Sequence, residues 1–209
     1  MKFRYFLAPE TEMADLLPKA QVCSFCGIKA RVFKCQIGAV TGEKSVRGCF
    51  ECLKKGEFGF FHETEFGYID ESGLHPFFDD GEELRVFIAN SNGEIVEDGI
   101  PNPAISKAAS ISEESIAELR KTPSFSTWQD TDWKVHCSDF MAYIGYWQPL
   151  DFIKHAGGGD GRKLFFEIAE REFYELWDSD EVIESGWDGG YVMFRCLHCG
   201  ELRGVYDFS

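Results

Sequence analysis

An α+β fold, with zinc-stapled knuckle and hairpin units packed on a mixed helical and antiparallel-strand domain, is predicted by three features of the sequence. Cys-x-x-Cys pairs stand at Cys23/Cys26, Cys49/Cys52 and Cys196/Cys199. Brief apolar runs are separated by Gly, Asn and acids, and two stretches carry helical periodicity. With 209 residues, 44% of them hydrophobic and 15% aromatic, the chain can fill the core of a single domain. Within it, residues 1–55 read as an N-terminal four-cysteine zinc knuckle unit and 56–110 as an acidic insert. Residues 111–209 read as a helical region that ends on a Cys-x-x-Cys strand.

In chain order, the first twenty residues are interrupted by Pro9, Glu10, Glu12, Asp15 and Pro18. They contain neither the apolar run of a signal peptide nor a membrane span, so the expected location is the cytoplasm. "ARVFKC" reads as a strand, "TGE" as a turn, and the two flanking cysteine pairs close a compact hairpin unit. After Gly56, "FGFF", "GYI" and "RVFIAN" suggest short strands divided by turns. "SISEESIAELRKTP" has Ser112 placed to cap a helix, has Glu113 and Glu114 suited to a helix N-terminus, and stops at Pro123. "KLFFEIAEREFYELW" predicts a second helix with Leu164, Phe165, Ile168, Phe173, Leu176 and Trp177 along one apolar side, a stripe read as core. "HAGGGDG" lacks the Gly-Lys-Ser/Thr ending of a phosphate loop and reads as a plain entry into that helix. Trp128, Gln129 and Trp133 read as core packing near the end of the first helix.

In a reducing compartment, paired cysteines at this spacing point to metal rather than to disulfides. Cys23, Cys26, Cys49 and Cys52 form two pairs separated by 22 residues, within reach of a hairpin. Four thiolates complete a tetrahedral zinc shell with no position left for water, which makes the site structural. A single iron in the same shell, or metal-free thiols, are the rivals. Cys196 and Cys199 need partners, and the remaining cysteines are Cys35 and Cys137. Cys35 sits mid-strand and reads as a core residue. Cys137, with His136 beside it, is the candidate to complete a second zinc site. Adjacent residues of a strand point to opposite faces, so the chain would have to bend there. Asp139, His155 or His198 could take the place of His136, or the set could be core thiols. If water held the fourth position, the site would be catalytic with Asp139 or a nearby Glu as base, but no nucleophile elbow, HExxH helix or triad order is visible.

The formal net charge is −15, and half of the 36 acids fall in two windows, Glu57 to Leu84 and Glu167 to Asp188. Such a surface repels phosphate backbones and attracts a basic protein, whereas the bland reading is solubility. The candidate partner-binding acids are Glu63, Glu65, Asp70, Asp79, Asp80, Glu82 and Glu83 in the first window, and Glu170, Glu172 and Glu175 in the second.

The blocks "CSFCG", "CFECL", "ELRKTPSFSTWQDTDWKVHCSDFMAYIG" and "FRCLHCGELRGVYDF" resemble the CbrC family, a bacterial group named for a protein linked to tolerance of a DNase colicin. The resemblance covers about half of the chain and groups Cys137 with Cys196 and Cys199. It implies an immunity protein that binds a cognate basic toxin, most simply a nuclease, with no direct contact to nucleic acid or membrane. The alternatives are a zinc-dependent enzyme built on Cys137, Cys196 and Cys199, or a stress or envelope-maintenance protein with only an indirect link to colicin tolerance. The acidic stretch from Glu57 to Ala109 is longer than in compact members of that family.

Overall fold

A computed structural model describes residues 1–37, 44–76, 88–89, 95–97, 100–101, 108, 110–129, 131–177, 179 and 181–208. Helices are mixed with sheets in which every pair of named strands is antiparallel. β1 (Gln21–Val22) and β2 (Lys29–Ala30) form a minimal hairpin, and β3 (Val32–Ile37) pairs with β4 (Lys44–Cys49). β4 runs straight into α1 (Phe50–Lys54), so Cys49 is the N-cap and Cys52 lies in the first turn. β5 (His62–Thr64), β6 (Gly67–Asp70) and β7 (Gly73–Pro76) make a meander, followed by the short β8 (Ile88–Ala89), β9 (Ile95–Glu97) and β10 (Ile100–Pro101). The turn at 41–43 and Asp79, Asp80, Glu82 and Glu83 lie outside the described residues.

α2 (Glu113–Leu119) starts where the Ser112 hydroxyl accepts the Ser115 N–H at 3.1 Å, which satisfies one of the donors that a helix start leaves open. β11 (Val135–His136) and β12 (Asp139–Phe140) form a tight hairpin that leads into β13 (Ala142–Trp147). Then come α3 (Pro149–His155), α4 (Gly161–Ile168), a 3-10 segment (Arg171–Trp177) and α5 (Val182–Ser185). The chain closes with β14 (Gly190–Arg195) and β15 (Leu202–Asp207), which with β13 make a sheet in the order β13-β14-β15.

That sheet divides the two hydrophobic cores, because successive side chains of a strand point to opposite faces. Val192 and Phe194 of β14 face the main core with Phe125, Trp133 and Tyr143, while Tyr191 and Met193 face a second core with Trp147, Phe152, Phe165 and Trp177. With both faces covered, Tyr191 to Phe194 are all buried.

The structure corrects three local expectations. The stretch 163–177 is not one helix: α4 stops, Ala169 is extended with φ −70° and ψ 145°, and the chain resumes as the 3-10 segment. The break lets Phe173 meet Tyr206 and Trp177 meet Phe165, and the Tyr174 hydroxyl donates to the Phe166 carbonyl at the helix end. Phe58 to Phe61 form no strand, although Phe58 and Phe60 are buried. Trp133 is a core residue, but Trp128 is 75% exposed, because the buried Asp207 carboxylate accepts the backbone N–H groups of Trp128 and Gln129 and holds this loop at the surface.

Candidate metal centres

Both Cys-x-x-Cys-Gly stretches adopt the same turn. In the first, Gly27 N–H donates to the Cys23 carbonyl at 2.9 Å and Cys23 N–H donates to the Ile28 carbonyl at 2.9 Å. In the second, Gly200 N–H donates to the Cys196 carbonyl at 3.0 Å and Cys196 N–H to the Glu201 carbonyl at 2.8 Å. Gly27 has φ 73° and Gly200 φ 82°, the left-handed region that glycine enters without steric cost. Each turn sits at the tip of a hairpin, β1–β2 or β14–β15, and presents two sulfurs to one side.

The first cluster is completed from β4 and α1. The sulfurs of Cys23, Cys26, Cys49 and Cys52 all lie within 4.8 Å of one another, with Cys23 to Cys52 at 3.8 Å and Cys26 to Cys49 at 3.7 Å. A disulfide requires about 2.0 Å between sulfurs. A tetrahedron with zinc–sulfur bonds of about 2.3 Å has edges of about 3.8 Å. The spacing therefore fits a shared ion such as zinc. Cys49 N–H also donates to the Cys23 sulfur at 3.3 Å. Burial works against the Cys23 thiolate, but backbone N–H groups of Cys26, Cys49 and Phe25 outweigh it and hold the thiol down to about 6. Burial and the neighbouring thiols push Cys52 strongly upward, so without a cation the four sulfurs cannot all ionise. A divalent ion removes that conflict.

The second cluster brings together His136, Cys137, Cys196 and Cys199, again with ligand atoms within 4.8 Å of one another. Cys137 and Cys199 sulfurs are 3.9 Å apart, and His136 Nδ1 lies 3.2 Å from Cys137 Sγ and 3.4 Å from Cys199 Sγ. The corresponding edge for one imidazole nitrogen and one sulfur on zinc is about 3.6 Å. The backbone shows how adjacent residues can face one site. Cys137 and Ser138 have φ 53° and 56°, and His136 pairs with Asp139, which is the two-residue type I′ turn of a tight hairpin. Burial works against the Cys196 thiolate, but backbone N–H groups of Cys199 and His198 and the His136 ring overcome it and lower the thiol to about 6. Burial and the thiols of Cys199 and Cys196 raise Cys137 to about 11.

The other proposed donors are engaged elsewhere. Asp139 is buried and accepts from Arg4 at 2.6 Å, the Tyr5 hydroxyl at 2.5 Å and Phe140 N–H at 2.9 Å, and its Oδ2 lies 2.8 Å from His198 Nε2. Burial disfavours its charge, but the bonds to Tyr5 and His198 and the Arg4 charge keep the carboxyl below its ordinary range. Asp139 thus ties the knuckle, through His198, to the N-terminal segment. His155 stacks on Trp147 with ring centroids 4.2 Å apart. Cys35 is buried in the main core, and burial raises its thiol to about 11. A residue that sequence reasoning missed is Glu201, whose carboxylate lies 3.6 Å from His136 Nε2, the ring nitrogen turned away from the sulfurs. A carboxylate behind a ligating histidine fixes its tautomer and orientation. The signal was an acid directly after Cys-x-x-Cys-Gly.

The family model described as "Uncharacterised protein family (UPF0167)" matches residues 1–208 and so spans both clusters. The chain belongs to this family. No solved structure matches it.

In this UPF0167 chain the proposed partner-binding acids divide into two kinds. Glu65 accepts Val135 N–H at 2.9 Å and faces Lys134 and Arg203 at 3.4 and 3.8 Å. Asp70 accepts from Ser72 N–H and Oγ, both at 2.7 Å, and lies 2.9 Å from His75. Burial works against its charge, but these contacts hold the carboxyl down to about 2. Both carboxylates serve the fold. Glu63, Glu170, Glu172 and Glu175 are exposed, and none of these forms an ion pair among the described residues. Among the described residues no helix is long and apolar enough to cross a membrane.

Proposed function

We propose that the protein is a non-catalytic binding protein, held by two structural zinc ions, that neutralises a basic toxin of the nuclease class through acidic surface. The observation that carries this reading is that each cluster already supplies four protein donors, so neither leaves the open position that a catalytic zinc needs for water or substrate. With chemistry disfavoured at both clusters, the exposed Glu170, Glu172 and Glu175, with Glu63, which form no ion pair among the described residues, become the feature left to explain. A strongly acidic surface speeds association with a basic cleft and excludes nucleic acid. The resemblance to the CbrC family, with its link to colicin tolerance, points the same way. Bound zinc would be tetrahedral and redox-inert, holding the knuckles to β4, α1 and the β11–β12 hairpin.

The test is an affinity capture from the native host with the neighbouring reading frames in the search set. Capture is followed by charge reversal of Glu170, Glu172 and Glu175 together. One stoichiometric basic partner, lost on reversal, is the expected result. Undiminished binding after reversal overturns the surface, and the absence of any basic partner overturns the role.

A zinc-dependent enzyme is the second reading, favoured by the exposure of Cys137 and Cys199 in the second cluster. Electronic spectra of the cobalt-substituted protein distinguish the two. Closed tetrahedral coordination by three sulfurs and one nitrogen removes the enzyme, and a coordinated water restores it.

A further inference from the structure

The two clusters share a turn but not an environment. In the first, Cys23, Cys49 and Cys52 are 1%, 5% and 4% exposed and belong to the main core, and Cys26 alone reaches solvent. In the second, both Cys137 and Cys199 are exposed, 3.9 Å apart, with the His136 ring beside each sulfur. Any disulfide within the first cluster must include a buried sulfur, whereas the second offers a pair in which both members meet solvent. The hairpin that carries Cys137 adds to this difference. Its two central residues occupy the left-handed region without being glycine, a conformation that residues with a side chain rarely adopt.

We infer that Cys137 and Cys199 are a peroxide-reactive dithiol whose oxidation dismantles the second metal shell and leaves the first intact. This inference rests on the zinc reading given above. One thiolate attacks the peroxide, the O–O bond breaks and hydroxide leaves, giving a sulfenic acid. The second sulfur then displaces the sulfenic oxygen as water. An S–S bond forms, two sulfurs are oxidised by two electrons in total, and hydrogen peroxide is reduced to two waters with two protons taken from solvent. His136 and Cys196 then remain as the donors of that site, too few to retain an ion against a chelator. The opened hairpin gives the protein an oxidant-dependent state at one end of the β13-β14-β15 sheet.

The experiment uses the full-length, zinc-loaded protein. Metal content is measured first. Hydrogen peroxide is then added with a chromogenic zinc chelator, and disulfides are mapped by peptide mass spectrometry at matched times. The expected result is two zinc ions at the start, release of one, a Cys137–Cys199 disulfide appearing at the same rate, and tryptophan fluorescence still that of a folded chain. A reductant with added zinc restores the starting state. Release of both ions in one phase, a first disulfide at Cys26–Cys49, or no release at all overturns the inference while leaving the zinc reading standing. A purified protein with no zinc in its second cluster refutes the zinc reading itself, and the inference falls with it.

Discussion

Replacing Cys52 with serine tests the first cluster where its energetics are most exposed to measurement. Cys52 is 4% exposed, its sulfur is 3.8 Å from that of Cys23, and it adjoins the fully buried Leu53. A structural zinc contributes an apparent binding free energy of about 10–16 kcal/mol. The whole stability of a domain is about 5–15 kcal/mol, so a substitution that abolishes zinc binding at this cluster removes an amount comparable with the total. Two further buried thiols are left behind without the cation that reconciles their charges. Cys35 is the control, equally buried at 4% but outside the cluster, with the Val46 carbonyl 3.5 Å from its sulfur and able to accept from a serine hydroxyl. Cys35→Ser should cost about 1–2 kcal/mol. For a chain of this size that is a fall in Tm of roughly 2–8 °C. The assay is thermal unfolding followed by tryptophan fluorescence, with zinc content measured on the same samples. Cys52→Ser should lose zinc from the first cluster and show no folded baseline, or a shift several times that of Cys35→Ser. Equal shifts, or full zinc retention in Cys52→Ser, would refute the reasoning.

Cys199→Ser, at an exposed edge of the second cluster, should lower bound zinc from two ions to one with a smaller Tm shift than Cys52→Ser, read by the same two measurements. His62 is buried against Trp133, its Nε2 lies 2.9 Å from the Thr122 carbonyl, and burial lowers it to about 4. The unfolded chain takes up that proton near pH 6.5 and the folded chain does not until about 4, so stability is full above about 6.5 and falls as the pH drops, by roughly 3 kcal/mol in all. Urea titrations of wild type and His62→Gln across this range should diverge by that amount, and parallel curves would remove the argument. Asp207→Ala leaves the backbone N–H groups of Trp128 and Gln129 without their acceptor and should cost about 2–3 kcal/mol, with faster amide exchange confined to that loop.

The first cluster was legible because Cys-x-x-Cys spacing is itself a geometric statement, bringing two sulfurs to one turn, with Gly27 to reverse the chain behind the first pair. α2 was legible for a similar local reason, Ser112 followed by two acids. Trp128 was not, because its exposure is decided by a carboxylate 79 residues away, and sequence proximity to Trp133 carries no information about that bond. The single helix expected from 163 to 177 failed for a tertiary reason. A continuous helix satisfies local periodicity, but the second core places Phe173 on Tyr206 and Trp177 on Phe165, and the break at Ala169 accommodates both contacts.

His136 and Cys137 lie between these extremes. Neighbouring residues in a strand diverge, which argues against a shared ion, and "HCSD" lacks the Asn-Gly that announces a type I′ turn. The turn forms nevertheless, because both of its ends are held. Val135 N–H is bound to Glu65 and the His136 ring faces Glu201, while Asp139 is clamped by Arg4, Tyr5 and His198. Of the acids that sequence reading assigned to partner binding, Glu65 serves the fold instead, together with Asp139 and Glu201. Glu65, Asp139 and Glu201 support the second cluster from behind, and Glu170, Glu172 and Glu175 are exposed and form the proposed partner surface. Charge reversal in the first group should alter metal retention as well as binding, and reversal in the second should alter binding alone. That contrast separates a metal-stapled scaffold from the surface it presents.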